Sequence, residues 1–463
     1  MMKNQLPAAF ISQMESQLGA ESSSFFEALA QQPPVSIRVN PGKGTENLPD
    51  LLPTDSEKVP WHPYGYYLPE RPSFTVDPVF QAGGYYVQEA SSMFVAEAVR
   101  QTMDTSKPLR VLDLCAAPGG KTTTLAAELT ENSFLMANEV IKSRIPALKE
   151  NLLKWGFTNY VVTNHDPETM AELEGFFDVV LVDAPCSGEG LFRKDDEAAK
   201  EWSVQHVELC SARQKRILKA AAFLVAPNGV LIYSTCTYNA KENDENVAYI
   251  TQITELERID VALNPEFGMQ ATQGGVQFYP HKLKGEGFYL AVFRQKGRGF
   301  NRVDAKVKLN QVRQRQLEKA ITWMKEPAKF QYFLKNEGTI VALRKENLAD
   351  YGKVFYALSK HSSGFEIGLF KGEAFIPSHA LALSNELNER IPRIELSFED
   401  AQRYFKRETL SIDQSVDLPD SSHSGGWLVA TYKGYQLGWL KDVQGRINNY
   451  LPKDWRIRMD IPA

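Results

Sequence analysis

The stretch Arg110-Val-Leu-Asp-Leu-Cys-Ala-Ala-Pro-Gly-Gly-Lys-Thr122 limits what this chain can fold into more than any other. A short apolar run, Val111 to Leu114, is interrupted by one carboxylate, Asp113. It then breaks at Pro118-Gly119-Gly120 and restarts as the helix-forming Thr124-Leu-Ala-Ala-Glu-Leu129. A buried strand, a glycine turn and a helix start follow one another, the layout that opens a nucleotide-binding α/β sheet. Glycines at the turn let backbone N–H groups approach a ligand, and a helix N-terminus favours negative charge.

Three ligand classes use such a turn, and the residues separate them. A Walker A loop needs G-x-x-x-x-G-K-[ST]; Gly120-Lys121-Thr122 fits its end, but Cys115 stands where the first glycine belongs. A dinucleotide G-x-G-x-x-G is absent. The reading that remains is S-adenosylmethionine, with its sulfonium and amino acid group over the turn and its ribose hydroxyls on an acid after the second strand. Ser133-Phe-Leu-Met-Ala137 supplies that strand and Glu139 that acid. A tight turn without a ligand is the competing reading, disfavoured because the turn is crowded with special residues.

Downstream, strand and helix alternate. Strand patterns at Tyr160–Thr163, 177–182 and 229–234 end near Asp166, at Asp183 and near Cys236, with helix patterns over Val204–Leu224 and 243–256 and a last strand at 287–293. Repeated βα units imply a largely parallel sheet with its site at the strand carboxyl ends. Cys115, Glu139, Asp166, Asp183 and Cys236 all fall at or near such ends.

The fold class expected is α/β: a Rossmann-like methyltransferase domain at 81–296, behind a small α+β RNA-binding cap at 1–80. In the cap, 22–30 reads as an amphipathic helix and 35–40 as a strand whose Arg38 and Asn40 either touch RNA or face solvent. Residues 61–72 read as an irregular surface segment. A basic linker occupies 297–329, and 294–319 carries nine Lys/Arg against two acids, Asp304 and Glu318, with a helix over 309–324. Residues 330–463 read as a β-rich region, with a hairpin around Lys433-Gly434 in a small barrel. The length of 463 residues fits two to four domains.

Four cysteines (115, 186, 210 and 236) without a C-x-x-C pair argue against a zinc site or disulfide scaffold and for a reduced, cytoplasmic compartment. No metal and no membrane are expected, since no apolar run reaches membrane-helix length and the N-terminus lacks a signal-peptide pattern. A net charge of −5 excludes a generic polyanion binder, so nucleic acid must be held by a local patch. A monomer is expected.

Two stretches go beyond cofactor binding: Asp183-Ala-Pro-Cys186-Ser-Gly-Glu-Gly190 and Tyr233-Ser-Thr-Cys236-Thr-Tyr238. Each puts a cysteine just past a buried strand, in a polar loop where burial for packing makes little sense; Cys210, inside a helix pattern, is the core cysteine by contrast. A thiol beside a methyl donor suits methylation at C5 of a pyrimidine. A thiolate adds to C6, C5 becomes enamine-like and takes the methyl group, the C5 proton leaves and the thiol is eliminated. An ordinary cysteine, with a pKa of roughly 8.5, already supplies some nucleophilic thiolate at neutral pH. Asp183 suits protonation of, or a hydrogen bond to, cytosine N3. Amino-group methyltransferases carry Asn/Asp-Pro-Pro-aromatic after this strand, and Asp183-Ala-Pro-Cys186 replaces it. From the residues alone, either cysteine could attack.

The chain resembles an RNA cytosine-C5 methyltransferase of the Nol/Nop/Sun family, and within it the bacterial ribosomal group. The resemblance rests on Leu112 to Thr122, Asn138-Glu139, Asp183-Ala-Pro-Cys-Ser-Gly188 and Ser234-Thr-Cys-Thr-Tyr238, with weaker matches at Ser36-Ile-Arg-Val-Asn40 and Gly287-Phe-Tyr-Leu-Ala291. Gly438-Trp439-Leu-Lys441 and Asn448-Asn-Tyr-Leu-Pro452 resemble the PUA-like RNA-binding module of that group. The resemblance implies that Cys236 is the nucleophile and that Cys186 assists release of the covalent adduct. It implies S-adenosylmethionine binding by Cys115, Ala116, Ala117, Pro118, Gly119, Gly120, Lys121 and Glu139, with Asp166 on the adenine side and Asp183 beside both donor and target base. The implied substrate is cytosine in small-subunit ribosomal RNA. A transfer-RNA methyltransferase, a non-catalytic ribosome assembly factor and, more remotely, a protein or small-molecule methyltransferase are the alternatives.

Overall fold

In the computed structural model the chain enters through two helices, α1 (Ala8–Leu18) and α2 (Ser22–Leu29). An antiparallel sheet follows, made of β1 (Val35–Val39), β2 (Glu57–Lys58), β3 (Gly65–Leu68) and β4 (Tyr85–Val87) in the order β2-β3-β1-β4. The structure describes residues 6–44, 52–297, 310–335, 338–362, 364–410, 424–444 and 446–459. Among these, no helix is long and apolar enough to cross a membrane.

The central sheet begins after helix α3 (Phe94–Thr102). Strand β5 (Arg110–Asp113) leads into α4 (Gly120–Glu128), β6 (Phe134–Asn138), α5 (Ile145–Trp155), β7 (Tyr160–Thr163) and β8 (Phe177–Asp183). Helix α6 (Val204–Leu224), β9 (Val225–Thr235), α7 (Asp244–Ile253) and β10 (Leu256–Ile259) come next. The short strands β11 (Gln270–Ala271) and β12 (Val276–Phe278) precede β13 (Phe288–Gln295). The order is β11-β12-β13-β9-β8-β5-β6-β7, with β10 also on β13; β5 to β9 pair in parallel and β10 to β13 antiparallel.

Both faces of the parallel strands are covered, as their near-continuous apolar sequences require. Val111, Val179, Leu181 and Ile232 pack with Phe94, Val95 and Val99 of α3 on one face. Leu112, Val180, Val182 and Leu231 pack with Leu218 and Ala221 of α6 on the other. The chain leaves β5 toward β6 on one side and returns to β8 on the other, so the loops after β5 and β8 diverge and open a crevice between them.

Among the described residues, the C-terminal strands do not form one barrel. They make two open sheets, an antiparallel five-stranded one from β14 (Asn310–Gln311) through β15 (Phe330–Leu334), β16 (Thr339–Arg344) and β17 (Phe365–Lys371) to β18 (Ala374–Pro377), and a four-stranded one. The second contains β19 (Arg393–Glu395), β20 (Trp427–Tyr432), β21 (Tyr435–Val443) and β22 (Arg446–Asn449), and the hairpin expected around Lys433-Gly434 joins β20 to β21. Neither sheet closes because each lends a face to something else. Phe333, Val341 and Leu343 join the core under Phe134 and Phe177 of the central sheet. Leu428, Leu437 and Leu440 share a core with Ile37, Val39 and Tyr85 of the first sheet. The two ends of the chain therefore complete each other.

Other expectations are corrected. Residues 61–72 contain β3, buried along its length, and Trp61 is buried with its Nε1 donating to Ala90 O at 2.8 Å. The helix expected over 243–256 stops at Ile253, because Thr254 turns extended with its hydroxyl bonded back to Ile250 O, and Leu256 starts β10. The helix expected over 309–324 is confined to Gln314–Ala320 and a 3₁₀ turn, Ile321–Trp323, after the strand at Asn310–Gln311. Arg298, Arg302, Lys306 and Lys308 of the basic linker lie outside the described residues.

Arg38 and Asn40 are neither solvent-facing nor free for RNA: they are 0% and 1% exposed. Arg38 Nε donates to Gln88 Oε1 at 2.8 Å and Nη2 to Thr123 Oγ1 at 2.6 Å and Gly120 O at 3.3 Å, with the guanidinium 4.3 Å over the Trp155 ring. Asn40 Nδ2 donates to Gly83 O and Trp155 O. The strand of the first sheet thus bolts onto α4 and α5. Burial pulls the Arg38 guanidinium down to about 9, still a cation at neutral pH. Truncating it removes three buried hydrogen bonds and the guanidinium packed on Trp155, so Arg38→Ala should cost about 2–4 kcal/mol in urea unfolding. A variant of unchanged stability with weakened RNA affinity would instead make Arg38 a nucleic-acid contact.

Candidate active site

The expected site residues lie just past the carboxyl ends of parallel strands or in the turn and helix start after β5, and that turn is built first. Gly119 N-caps α4 at φ 114°, a backbone conformation that strains any residue with a Cβ. Thr122 Oγ1 donates to Asp113 Oδ2 at 2.6 Å, tying the helix start to the strand end. Asp113 is 1% exposed, and its Oδ1 has no hydrogen-bond partner among the described residues. Burial, reinforced by the nearby Asp183 charge, pushes this carboxyl up to about 7.

The crevice holds a cavity of about 550 Å³, a size that suits a cofactor together with a reacting group. Cys115, Ala117, Glu139, Asp166, Asp183, Cys186 and Cys236 are on its wall. Ala116, Pro118, Gly119, Gly120 and Lys121 are not; they form the turn and helix start behind it. At one end the Glu139 carboxylate accepts from Ile141 N at 2.8 Å, Ala117 N at 3.3 Å and Arg144 Nη1 at 3.3 Å. Both Asp166 oxygens accept from Arg216 Nη1 at 3.1 Å. Val140 and Ile141 lie between these carboxylates on the wall, apolar and about half exposed at 53% and 49%.

At the other end the two cysteines meet. Parallel pairing sets Asp183 opposite Ser234, so the loops leaving β8 and β9 start level, and Cys186 Sγ lies 3.0 Å from Cys236 Sγ. The Cys236 amide also donates to Cys186 Sγ at 3.3 Å. The contact with Cys236, and then burial, push the Cys186 thiol up, and Glu242 adds to this. Asp183 accepts from Lys121 Nζ at 2.8 Å and from Ser234 Oγ at 2.8 Å. Burial pulls Lys121 down, but the charges of Asp183 and of Cys236 hold it above its ordinary value. The pair is therefore lopsided on the Cys186 side, where burial and a neighbouring carboxylate, Glu242, disfavour charge on the sulfur. Cys210 is 1% exposed and stays apart, packed in the core.

Sequence reasoning missed what holds the two loops. Glu189, fully buried, accepts five N–H donors. Tyr238 N (2.8 Å) and Asn239 N (3.0 Å) reach its Oε2; Asn239 Nδ2 (3.0 Å), Trp202 Nε1 (3.1 Å) and Gln13 Nε2 (3.3 Å) reach its Oε1. Glu242 accepts from Ser187 N at 2.9 Å, Gln214 Nε2 at 2.7 Å and Asn239 Nδ2 at 2.8 Å. One carboxylate thus sits in the loop after Cys186 and grips the loop after Cys236, and the other does the reverse. The signal available was slight, a charged residue between two glycines in Gly188-Glu189-Gly190.

Comparison with known proteins gives three family matches: "16S rRNA methyltransferase RsmB/F" over residues 100–294, "N-terminal domain of 16S rRNA methyltransferase RsmF" over 6–90 and "Methyltransferase RsmF PUA domain" over 391–457. Ribosomal RNA small subunit methyltransferase F of Cronobacter sakazakii is 34% identical over 306 residues, which span 63% of each protein, under two thirds of that relative's length. The protein of the same name from Aliivibrio fischeri is 29% identical over 476 residues and 97% of both chains. Among solved structures, a methyltransferase homolog from Pyrococcus horikoshii is similar at a TM-score of 0.55 and 26% identity, over 64% of this chain and 100% of that one.

The buried Asp113 carboxyl gives a pH test. Folded, it keeps its proton up to about pH 7; unfolded, it releases it near the ordinary value of about 3.9. The unfolded state binds fewer protons in that window, so this group lowers stability as pH rises through it. Asp113→Asn should gain stability relative to wild type between pH 4 and pH 8, by as much as a few kcal/mol in urea unfolding. A difference that stays flat across that range would mean the carboxyl is ionised in the folded protein.

Proposed function

The chain belongs to the 16S rRNA methyltransferase RsmB/F family, and from that premise we propose that it transfers methyl groups from S-adenosylmethionine to C5 of cytosine in small-subunit ribosomal RNA through a covalent Cys236 adduct. The observation that carries this reading is the thiol pair, 3.0 Å apart at one end of the crevice, with Lys121 on Asp183 beside it and Glu242 acting on Cys186.

The donor set fits S-adenosylmethionine. Glu139 and Asp166 offer carboxylate acceptors for ribose hydroxyls and the adenine amine, the α4 N-terminus suits a carboxylate, and Asp183 is a counter-charge at the cysteine end. When bound, S-adenosylmethionine supplies the electrophilic methyl group.

The protein's part of the reaction follows from the lopsided pair. Burial and the nearby Glu242 charge disfavour a thiolate at Cys186, which leaves Cys236 as the sulfur to attack. Its electron pair forms the S–C6 bond of an extruded cytosine, the C5–C6 pair shifts into the ring, and a protonated Asp183 would give N3 its proton as negative charge develops there and take it back on release. Once C5 carries the methyl group its proton must leave; as it does, the C5–C6 double bond re-forms and the S–C6 pair returns to Cys236. Cys186, in contact with Cys236 and held basic by its surroundings, is placed to move the proton that accompanies release. The first and last sheets, joined in one core, and the basic linker would hold the RNA through its shape and phosphates, with the protein acting in the cytoplasm as a monomer.

The test is nucleoside mass spectrometry on ribosomal and transfer RNA incubated with S-adenosylmethionine and wild-type or variant protein. Wild type should add 5-methylcytidine to 16S rRNA. Cys236→Ser should abolish transfer, and Cys186→Ser should leave protein joined to RNA through denaturing electrophoresis. Label confined to transfer RNA would move the substrate, and no label in any RNA would favour an assembly factor.

A further inference from the structure

Part of the cavity wall belongs neither to the donor residues nor to the thiol pair. Leu191 ends the turn Glu189–Leu191 and is 42% exposed, on the same wall as Cys186 and Cys236. Its position is imposed by the backbone beneath it. Gly190 N donates to Cys236 O at 2.8 Å, and a Cβ on Gly190 would lie 2.6 Å from Gly287 O and 2.9 Å from Cys236 O. With Glu189 held by five donors, the turn is welded to the Cys236 loop, and an aliphatic side chain is carried beside the sulfurs instead of being tucked into the core. Exposed leucines are common singly, but one fixed by this many contacts at a reaction centre is a built surface.

A second group faces the same end. Arg213 on α6 is exposed and lines the cavity one turn ahead of Arg216. Arg216 is committed to Asp166 and Glu168, whereas Arg213 has no hydrogen bond or ion pair with the described residues. The next residue, Gln214, donates to Pro185 O at 3.0 Å, which sets that turn level with Cys186 and not with the Asp166 end. A guanidinium on the cavity wall with no hydrogen bond or ion pair to the described residues is available to an anion there.

We infer that Leu191 and Arg213 form the receiving subsite for the target nucleotide, Leu191 lying against a face of the extruded pyrimidine and Arg213 pairing with its phosphodiester. This rests on the RNA-methyltransferase reading above and adds the two residues that receive the substrate. Neither is a member of the thiol pair, and neither touches the donor carboxylates.

The test uses the full-length protein and a small-subunit rRNA transcript. RNA dissociation constants are measured at several salt concentrations, methyl transfer is followed at varied RNA, and S-adenosylmethionine affinity is measured by calorimetry. Arg213→Ala should flatten the slope of log affinity against log salt by about 0.7, the share of one single-strand phosphate, and Arg213→Lys should restore it. Leu191→Ala should leave that slope unchanged but lower kcat/KM for RNA by about tenfold, with Leu191→Met recovering most of it. S-adenosylmethionine affinity should stay within about twofold throughout. An unchanged salt slope in Arg213→Ala, transfer by Leu191→Ala within about twofold of wild type, or a parallel loss of S-adenosylmethionine affinity would each overturn the assignment. A wild-type protein that methylates no RNA would overturn the functional reading and this subsite with it, an outcome separable from the variants because it is read from wild type alone.

Discussion

Everything distinctive about this molecule depends on two sulfur atoms being kept 3.0 Å apart. Left to themselves, two loops leaving neighbouring strands have no reason to hold that separation. The parallel register of β8 and β9, with Asp183 opposite Ser234, sets their starting points level. The crossed grip of Glu189 and Glu242 then removes the remaining freedom, since each carboxylate sits in one loop and binds donors in the other. Two buried carboxylates are costly, and nothing in the fold class requires them; dense satisfaction by N–H donors makes them tolerable and also makes the loops rigid. The same rigidity fixes Leu191, whose backbone is tied to the Cys236 loop through Gly190.

The surrounding domains brace this centre as well as flanking it. Gln13 of α1 reaches Glu189, and Gln17 reaches Tyr238 O and Tyr279 Oη, so the first helix of the chain touches both halves of the thiol platform. Phe25 of α2 packs edge-on against Tyr238 at 5.0 Å. On the other side of the turn, Arg38 joins β1 to the start of α4. The N-terminal helices and β1 therefore bear on the thiol pair and on the turn after β5 through position.

Much of this was legible in the residues. The strand, turn and helix at Arg110 to Thr122 were readable because a glycine turn between apolar strand and helix has few other solutions, and α6 was readable from end to end because its pattern is long and its start is capped by Ser203. The elements that were misread share a cause: their partners are distant in sequence. β3 looks irregular until Val35–Val39 pairs with it, and the C-terminal strands suggest a barrel until one sheet is packed on the central domain and the other on the first sheet. Arg38 and Asn40 were ambiguous because alternation shows which side of a strand a residue is on but not what covers that side. At the site, the cysteines, Asp183 and Glu139 could be named from motif positions, while Glu189, Glu242, Leu191 and Arg213 acquire meaning only from the contacts the fold makes or leaves unmade.

The proposed bond between Cys236 Sγ and the base can be read from one covalent species. RNA carrying 5-fluorocytidine at the target has no C5 proton to lose, so the adduct formed after methyl transfer cannot resolve. Peptide mass mapping of wild-type protein incubated with this RNA and S-adenosylmethionine should find the methylated fluoropyrimidine on the peptide containing Cys236. The same mass on the peptide containing Cys186, or protein left unmodified while ordinary RNA is methylated, would contradict the account.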